Sequence, residues 1–175
     1  WSFVKTPGGF QVWVSSKYLS DKAPEKAETP PVSVAPIINP GDAVLPIELL
    51  HPSEFGIGWM KRFEGLRLEA YDDVGSWAIG YGHNATSNRP PKPYKGMKIT
   101  EADANAILHA DAEAISAEVR KVLKGASLKQ DQFDALVLDN FQRGQTQFTK
   151  TKAVTAIKAG ASDKDVHKAL IDQAN

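Results

Sequence analysis

Apolar residues recur along this chain with different periods, and each period predicts an element. Near the start, aromatic and β-branched residues flank Thr6-Pro7-Gly8-Gly9, which predicts two short strands, Trp1–Lys5 and Phe10–Val14, joined as a hairpin. Further on, Ile57, Met60 and Phe63 stand at near-helical spacing after Ser53-Glu54, a candidate N-cap. Gly65 stops that run, so a short helix is expected up to about Phe63–Glu64. From Leu66 to His83 the period drops to two. Leu66, Leu68 and Ala70 alternate with polar residues, Val74-Gly75-Ser76 breaks the run, and Trp77-Ala78-Ile79 resumes it, as in a small antiparallel ribbon. Asn84 to Gly96, rich in Pro, Asn and Ser, reads as a loop. Thr100 and Asp103 partly imitate a capping box and open a long helix whose apolar stripe is Ile107, Leu108, Ile115, Val119 and Val122. The next helix is expected to start at Ser127, bury Phe133, Leu136, Val137 and Phe141, and end at Gly144, with Asp131 and Asp134 on its solvated face. Two shorter helices follow, near Thr151–Lys158 and Ser162–Gln173. Together these predict an α+β domain, a small antiparallel β-ribbon lobe beside a mainly helical lobe with a crevice between them.

Proline density sets the domain plan. Pro24, Pro30, Pro31, Pro36, Pro40 and Pro46 crowd one stretch, where missing backbone donors and a fixed φ favour extended geometry. The expected order is therefore a hairpin over 1–19, a semi-rigid linker over 20–47 and one domain over 48–175, within a length that buries a substantial core. The absence of cysteine excludes a disulfide scaffold, a thiolate zinc site and a cysteine nucleophile. A balance of 21 basic against 21 acidic residues excludes a strongly basic nucleic-acid binder. No apolar run approaches the roughly 18–20 residues of a membrane span, so a soluble chain without a membrane partner is expected. Trp1 opens the chain without a signal-peptide pattern. No His, Asp and Glu cluster has ligand spacing, so neither a metal nor an organic cofactor is expected.

The stretch Arg62-Phe63-Glu64-Gly65-Leu66-Arg67-Leu68-Glu69-Ala70-Tyr71-Asp72-Asp73 carries the candidate chemistry. It puts Glu64 at a helix end and Asp72 and Asp73 in the turn of the following ribbon. Two carboxylates on separate rigid elements suit glycoside hydrolysis, in which one gives a proton to the leaving oxygen and the other activates water. Burial against apolar side chains raises a carboxyl pKa, which suits Glu64 to the first role; the turn aspartates suit the second. The competing reading is a solvated surface of ordinary acidic residues.

The run from Phe63-Glu64-Gly65-Leu66-Arg67-Leu68 through Ala70-Tyr71-Asp72-Asp73 to Trp77-Ala78-Ile79-Gly80-Tyr81-Gly82-His83 closely resembles the active-site segment of phage-type lysozymes, the peptidoglycan muramidases of bacteriophage endolysins. Two further blocks, from Gly96 to Ala104 and from Leu128 to Val137, fit the same family. The resemblance implies a lysozyme-like fold and cleavage of the β-1,4 bond between N-acetylmuramic acid and N-acetylglucosamine. It implies Glu64 as the family's catalytic Glu and, nine positions later, Asp73 as its Asp. Counted back from Gly80, the turn is one residue short, which makes Asp72 the alternative. The family's Thr, which helps hold the attacking water, falls on Ala78; without that hydroxyl, Ser76, Thr86 or Asp73 alone is left to hold the water. An inverting outcome requires roughly 6.5–9.5 Å between the carboxyl groups. Tyr81, His83 and Gln142 are the candidates for saccharide contact, with a structural role as the competing reading of His83. Arg67 is read either as a partner of Glu64 or Asp73 or as solvent-facing. Competing functions are a lytic transglycosylase using Glu64 alone and a catalytically silent wall-binding module.

The segment from Gly9 to Leu19 resembles the closing strand and turn of bacterial SH3-like cell-wall modules, which makes 1–19 a candidate remnant of one. Family members continue past the position of Asn175 with a further helical piece, so the C-terminus is expected to be incomplete. The implied partner is peptidoglycan, met by a monomer in the periplasm or cell wall after delivery by a holin, an injection system or an upstream segment. An immunity protein is a further partner if the chain is a secreted antibacterial effector.

Overall fold

The computed structural model describes the backbone of residues 2–5 and 11–14 and the chain over 43–87 and 89–174. The first two segments are strands β1 (Ser2–Lys5) and β2 (Gln11–Val14), paired antiparallel with Phe3 opposite Trp13. The turn expected between them and the linker expected up to residue 42 lie outside the described residues. Residues 43–47 do not continue a linker. Strand β3 (Leu45–Pro46) pairs antiparallel with β7 (Ser127–Leu128), and Ile47 is fully buried in the core. The folded domain therefore begins before Glu48, because strand pairing with the distant Ser127–Leu128 captures those residues.

Helix α1 (Glu54–Glu64) starts at Ser53, whose hydroxyl accepts from the Gly56 amide, and ends at Gly65, whose N–H donates to the Lys61 carbonyl. Ile57 and Met60 fill the core. Strands β4 (Arg67–Asp73), β5 (Ser76–Gly80) and β6 (His83–Asn84) form an antiparallel sheet in that order, one strand more than the expected ribbon. Helix α2 (Glu101–Val122) has the full reciprocal capping box between Thr100 and Asp103. Its buried stripe is Ala104, Leu108, Asp111, Ala112, Ile115, Ser116 and Val119, with Ile107 and Val122 at the margins. The sheet rests on the first turns of α2: a Cβ built on Gly80 would lie 3.5 Å from that of Ala104.

Helix α3 (Gln130–Arg143) begins three residues later than expected, because Ser127 is taken into β7. Gln132 Oε1 then caps it by accepting from the Lys129 N–H at 3.0 Å. Phe133, Leu136 and Val137 are buried, as their spacing predicts. The short α4 (Gln145–Phe148) inserts fully buried Phe148, and α5 (Lys152–Lys158) and α6 (Asp163–Ala174) follow at the expected places. The α+β expectation thus agrees with the structure.

Asp134 does not lie on a solvated face. It is 8% exposed and accepts from the Ser53 N–H at 3.0 Å, from the Ser53 hydroxyl and from Gln130 Nε2 at 3.0 Å. A carboxylate on α3 therefore holds the N-terminus of α1, a favourable place for negative charge. Gly56 permits the approach, since an added Cβ would lie 2.7 Å from Asp134 Cγ. Asp134→Ala strands the Ser53 N–H and hydroxyl, while Gln130 Nε2 keeps the His51 carbonyl, and is expected to cost about 1–3 kcal/mol in urea unfolding.

Candidate active site

Local turn chemistry arranges the carboxylates. Strands β4 and β5 pair Tyr71 with Ala78, Asp72 with Trp77 and Asp73 with Ser76. Val74 and Gly75, at φ 50° and 83°, make the two-residue loop between Asp73 and Ser76. Asp72 Oδ1 accepts from the Gly75 N–H at 2.8 Å, so its carboxylate closes the turn. Strand alternation then places Tyr71, Asp73, Ser76 and Ala78 on one face and Asp72 with Trp77 on the other. Val74, β-branched and fully exposed in the left-handed region, carries backbone strain next to Asp73.

Glu64 is the last residue of α1, and its charge acts on Tyr71. It is half-buried, and desolvation pushes its carboxyl pKa up. The chain at Gly82 passes so close that an added Cβ would lie 3.2 Å from Glu64 Oε2. Tyr71 links the two sides. Its phenol pKa is raised by burial first, then by the negative charges of Asp73 and Glu64, against the opposing charge of Arg67. Arg67 stacks on Tyr71, its guanidinium carbon 4.7 Å from the ring centroid, and it forms no ion pair with Glu64 or Asp73.

Ala78 is fully buried beside Tyr71 and pairs with Asn84 on its other side. The hydroxyls of Ser76 and Thr86, two candidates to replace the family's Thr, both donate to Asn84 Oδ1 at 2.8 Å. Among the described residues no group of three or more His, Asp and Glu side chains is placed to hold a metal ion, and no helix is long and apolar enough to cross a membrane.

Tyr81 and His83, the latter also read as structural, are both buried. Tyr81 is 7% exposed and belongs to the hydrophobic core. His83 is 2% exposed, with Nδ1 2.7 Å from Asp111 Oδ2 and Nε2 2.7 Å from the Pro91 carbonyl, so both nitrogens are occupied. Arg89 Nε donates to the other Asp111 oxygen at 2.7 Å. Burial alone would lower the His83 pKa, but the hydrogen bonds its ring donates to Asp111 and to the Pro91 carbonyl outweigh it and raise it; Asp111 is lowered by His83 and Arg89 despite its own desolvation. The cluster ties the loop after β6 to α2. Asp111 was legible in principle, because it stands at helical spacing between Leu108 and Ile115. Gln142 is exposed and lines a groove of about 270 Å³ with Phe63, Leu138 and Leu170.

Residues 61–172 match the family described as phage lysozyme. The chain belongs to the phage lysozyme family. It is 36% identical over 112 residues to the endolysin of Acyrthosiphon pisum secondary endosymbiont phage 1, which spans 63% of this chain and 72% of that one. It is 35% identical over 111 residues to the endolysin of Bacillus phage PZA, covering 62% of this chain and 41% of that longer protein. Among solved structures, the muramidase domain of SpmX from Asticaccaulis excentricus superposes with a TM-score of 0.59 at 31% identity, over 69% of this chain and 77% of that one. Membership of the family makes the chain a glycoside hydrolase of the lysozyme class that acts on peptidoglycan.

Proposed function

We propose that the chain is a muramidase that hydrolyses the β-1,4 bond between N-acetylmuramic acid and N-acetylglucosamine, with Glu64 as general acid and Asp73 orienting the water. The observation that carries this reading is Glu64 itself: a carboxyl at a helix end, its pKa raised by desolvation, whose charge acts on Tyr71 as that of Asp73 does. In the step, Glu64 gives its proton to the glycosidic oxygen as the C–O bond breaks. Water adds to the anomeric carbon from the other face and yields a proton to Asp73. The similar SpmX domain is a muramidase domain by name, which supports the same bond for this chain. We also read residues 1–19 as a remnant of a wall-binding module, which would raise the local concentration of the enzyme on its substrate.

Asp73 is preferred to Asp72 because the Asp72 carboxylate closes the turn. Mass spectrometry of muropeptides released from purified peptidoglycan tests both points. Wild type is expected to release reducing muramic acid ends. Asp73→Asn is expected to lower that release by about 10²-fold or more, whereas Asp72→Asn keeps it within a few-fold. Anhydro-muramic ends would move the enzyme to the transglycosylases, and loss of activity only in Asp72→Asn would exchange the two aspartates.

A further inference from the structure

We propose that the Tyr71 hydroxyl holds the attacking water against Asp73 in this chain, supplying the hydroxyl that Ala78 lacks. The inference rests on the reading of Glu64 as acid and Asp73 as water-orienting base. Tyr71 and Ala78 are direct partners across β4 and β5, so their side chains stand side by side on the face that also carries Asp73. Ala78 offers only a methyl group there. The two other hydroxyls near this face, on Ser76 and Thr86, both donate to Asn84. Tyr71 is half-buried, and among the described residues its hydroxyl makes no hydrogen bond to protein. The stacked Arg67 guanidinium, 4.7 Å from the ring centroid, holds the ring in place.

An unpartnered, half-buried hydroxyl near two carboxylates is satisfied by water. Burial first, and the negative neighbours after it, favour the neutral phenol, whose oxygen accepts one hydrogen of that water while Asp73 accepts the other. The water's lone pair is then left free to add to the anomeric carbon, and the proton it loses goes to Asp73. Tyr71 keeps its own proton throughout and acts by positioning.

Steady-state release of reducing ends from purified peptidoglycan decides the point for Tyr71→Phe, which retains the ring and its stacking on Arg67. The expected result is a 10–100-fold fall in kcat with KM changed less than threefold, thermal unfolding within about 2 °C of wild type, and at least tenfold recovery of kcat when Ala78→Thr is added. Ala78→Ser, which adds only an oxygen, serves as the second rescue variant because the site is fully buried. Wild-type kcat in Tyr71→Phe, or a loss that neither Ala78→Thr nor Ala78→Ser relieves, overturns the proposal. Glu64→Gln run in parallel separates the two readings. An inactive Glu64→Gln beside a fully active Tyr71→Phe removes only the role of Tyr71, whereas an active Glu64→Gln removes the reading beneath it.

Discussion

Replacing Glu64 by glutamine is expected to lower glycan cleavage by about 10²–10⁴-fold, the usual contribution of a positioned general acid. Glutamine keeps the shape at the end of α1 and the close approach to Gly82, but it has no proton to give. Stability should not fall with activity. A carboxyl whose pKa is raised on folding is most stabilising when protonated, and that contribution is lost as pH rises through the raised value. At neutral pH the neutral amide is therefore expected to unfold at the same temperature as wild type or slightly above it. The sign also governs the pH profile. The alkaline limb of activity belongs to Glu64 and should lie above the ordinary carboxyl value of 4.5. Kinetics on purified peptidoglycan from pH 4 to 9, beside thermal unfolding of both proteins, would reject the assignment if the variant kept wild-type activity.

The second large effect is on stability, at Asp111. Its side chain is 5% exposed and that of His83 is 1% exposed, so Asp111→Asn leaves a buried imidazolium and the Arg89 guanidinium without their counter-charge. The expected cost is about 3–5 kcal/mol, as for breaking a buried ion pair from one side. The pH dependence follows from both shifts. The raised His83 pKa stabilises fully below the unfolded value of about 6.5, and that stabilisation is lost as pH rises through the folded value. The lowered Asp111 pKa stabilises above the unfolded value of about 3.9, and is lost as pH falls through the folded value. The pair thus contributes most between about pH 4 and 6.5. Urea unfolding should show a larger gap between wild type and Asp111→Asn at pH 5.5 than at pH 8.5; equal gaps would mean that charge is not what the cluster contributes.

Most of the fold could be read along the chain because its decisive signals are local. Ser53 and Gly65 bound α1, Thr100 and Asp103 cap α2, and alternation from Leu66 to Ile79 makes the ribbon, each through contacts within a few residues. The resemblance of the Glu64–His83 segment to phage-type lysozymes was legible for the same reason, since glycine, aromatic and acidic residues at set spacing lie in one continuous run. Burial was harder to read. Reading a polar residue as solvated misplaces Asp134, which caps a helix 81 positions away in sequence; Asp111 stands at a buried position of the α2 period, but its partner His83, 28 positions away, is not legible from that spacing.

Local chemistry thus suffices for element type, for helix ends and for the family, because propensity, capping and spacing act between near neighbours. Long-range packing decided the rest. It drew Leu45–Pro46 onto Ser127–Leu128, which moved the domain boundary and delayed α3. It buried Tyr81 and His83 rather than leaving them against solvent, whereas the local turn took the Asp72 carboxylate and left Asp73 on the face with Tyr71 and Ala78. A side chain's exposure and its hydrogen-bond partners are properties of what folds against it, and those partners come from distant parts of the chain.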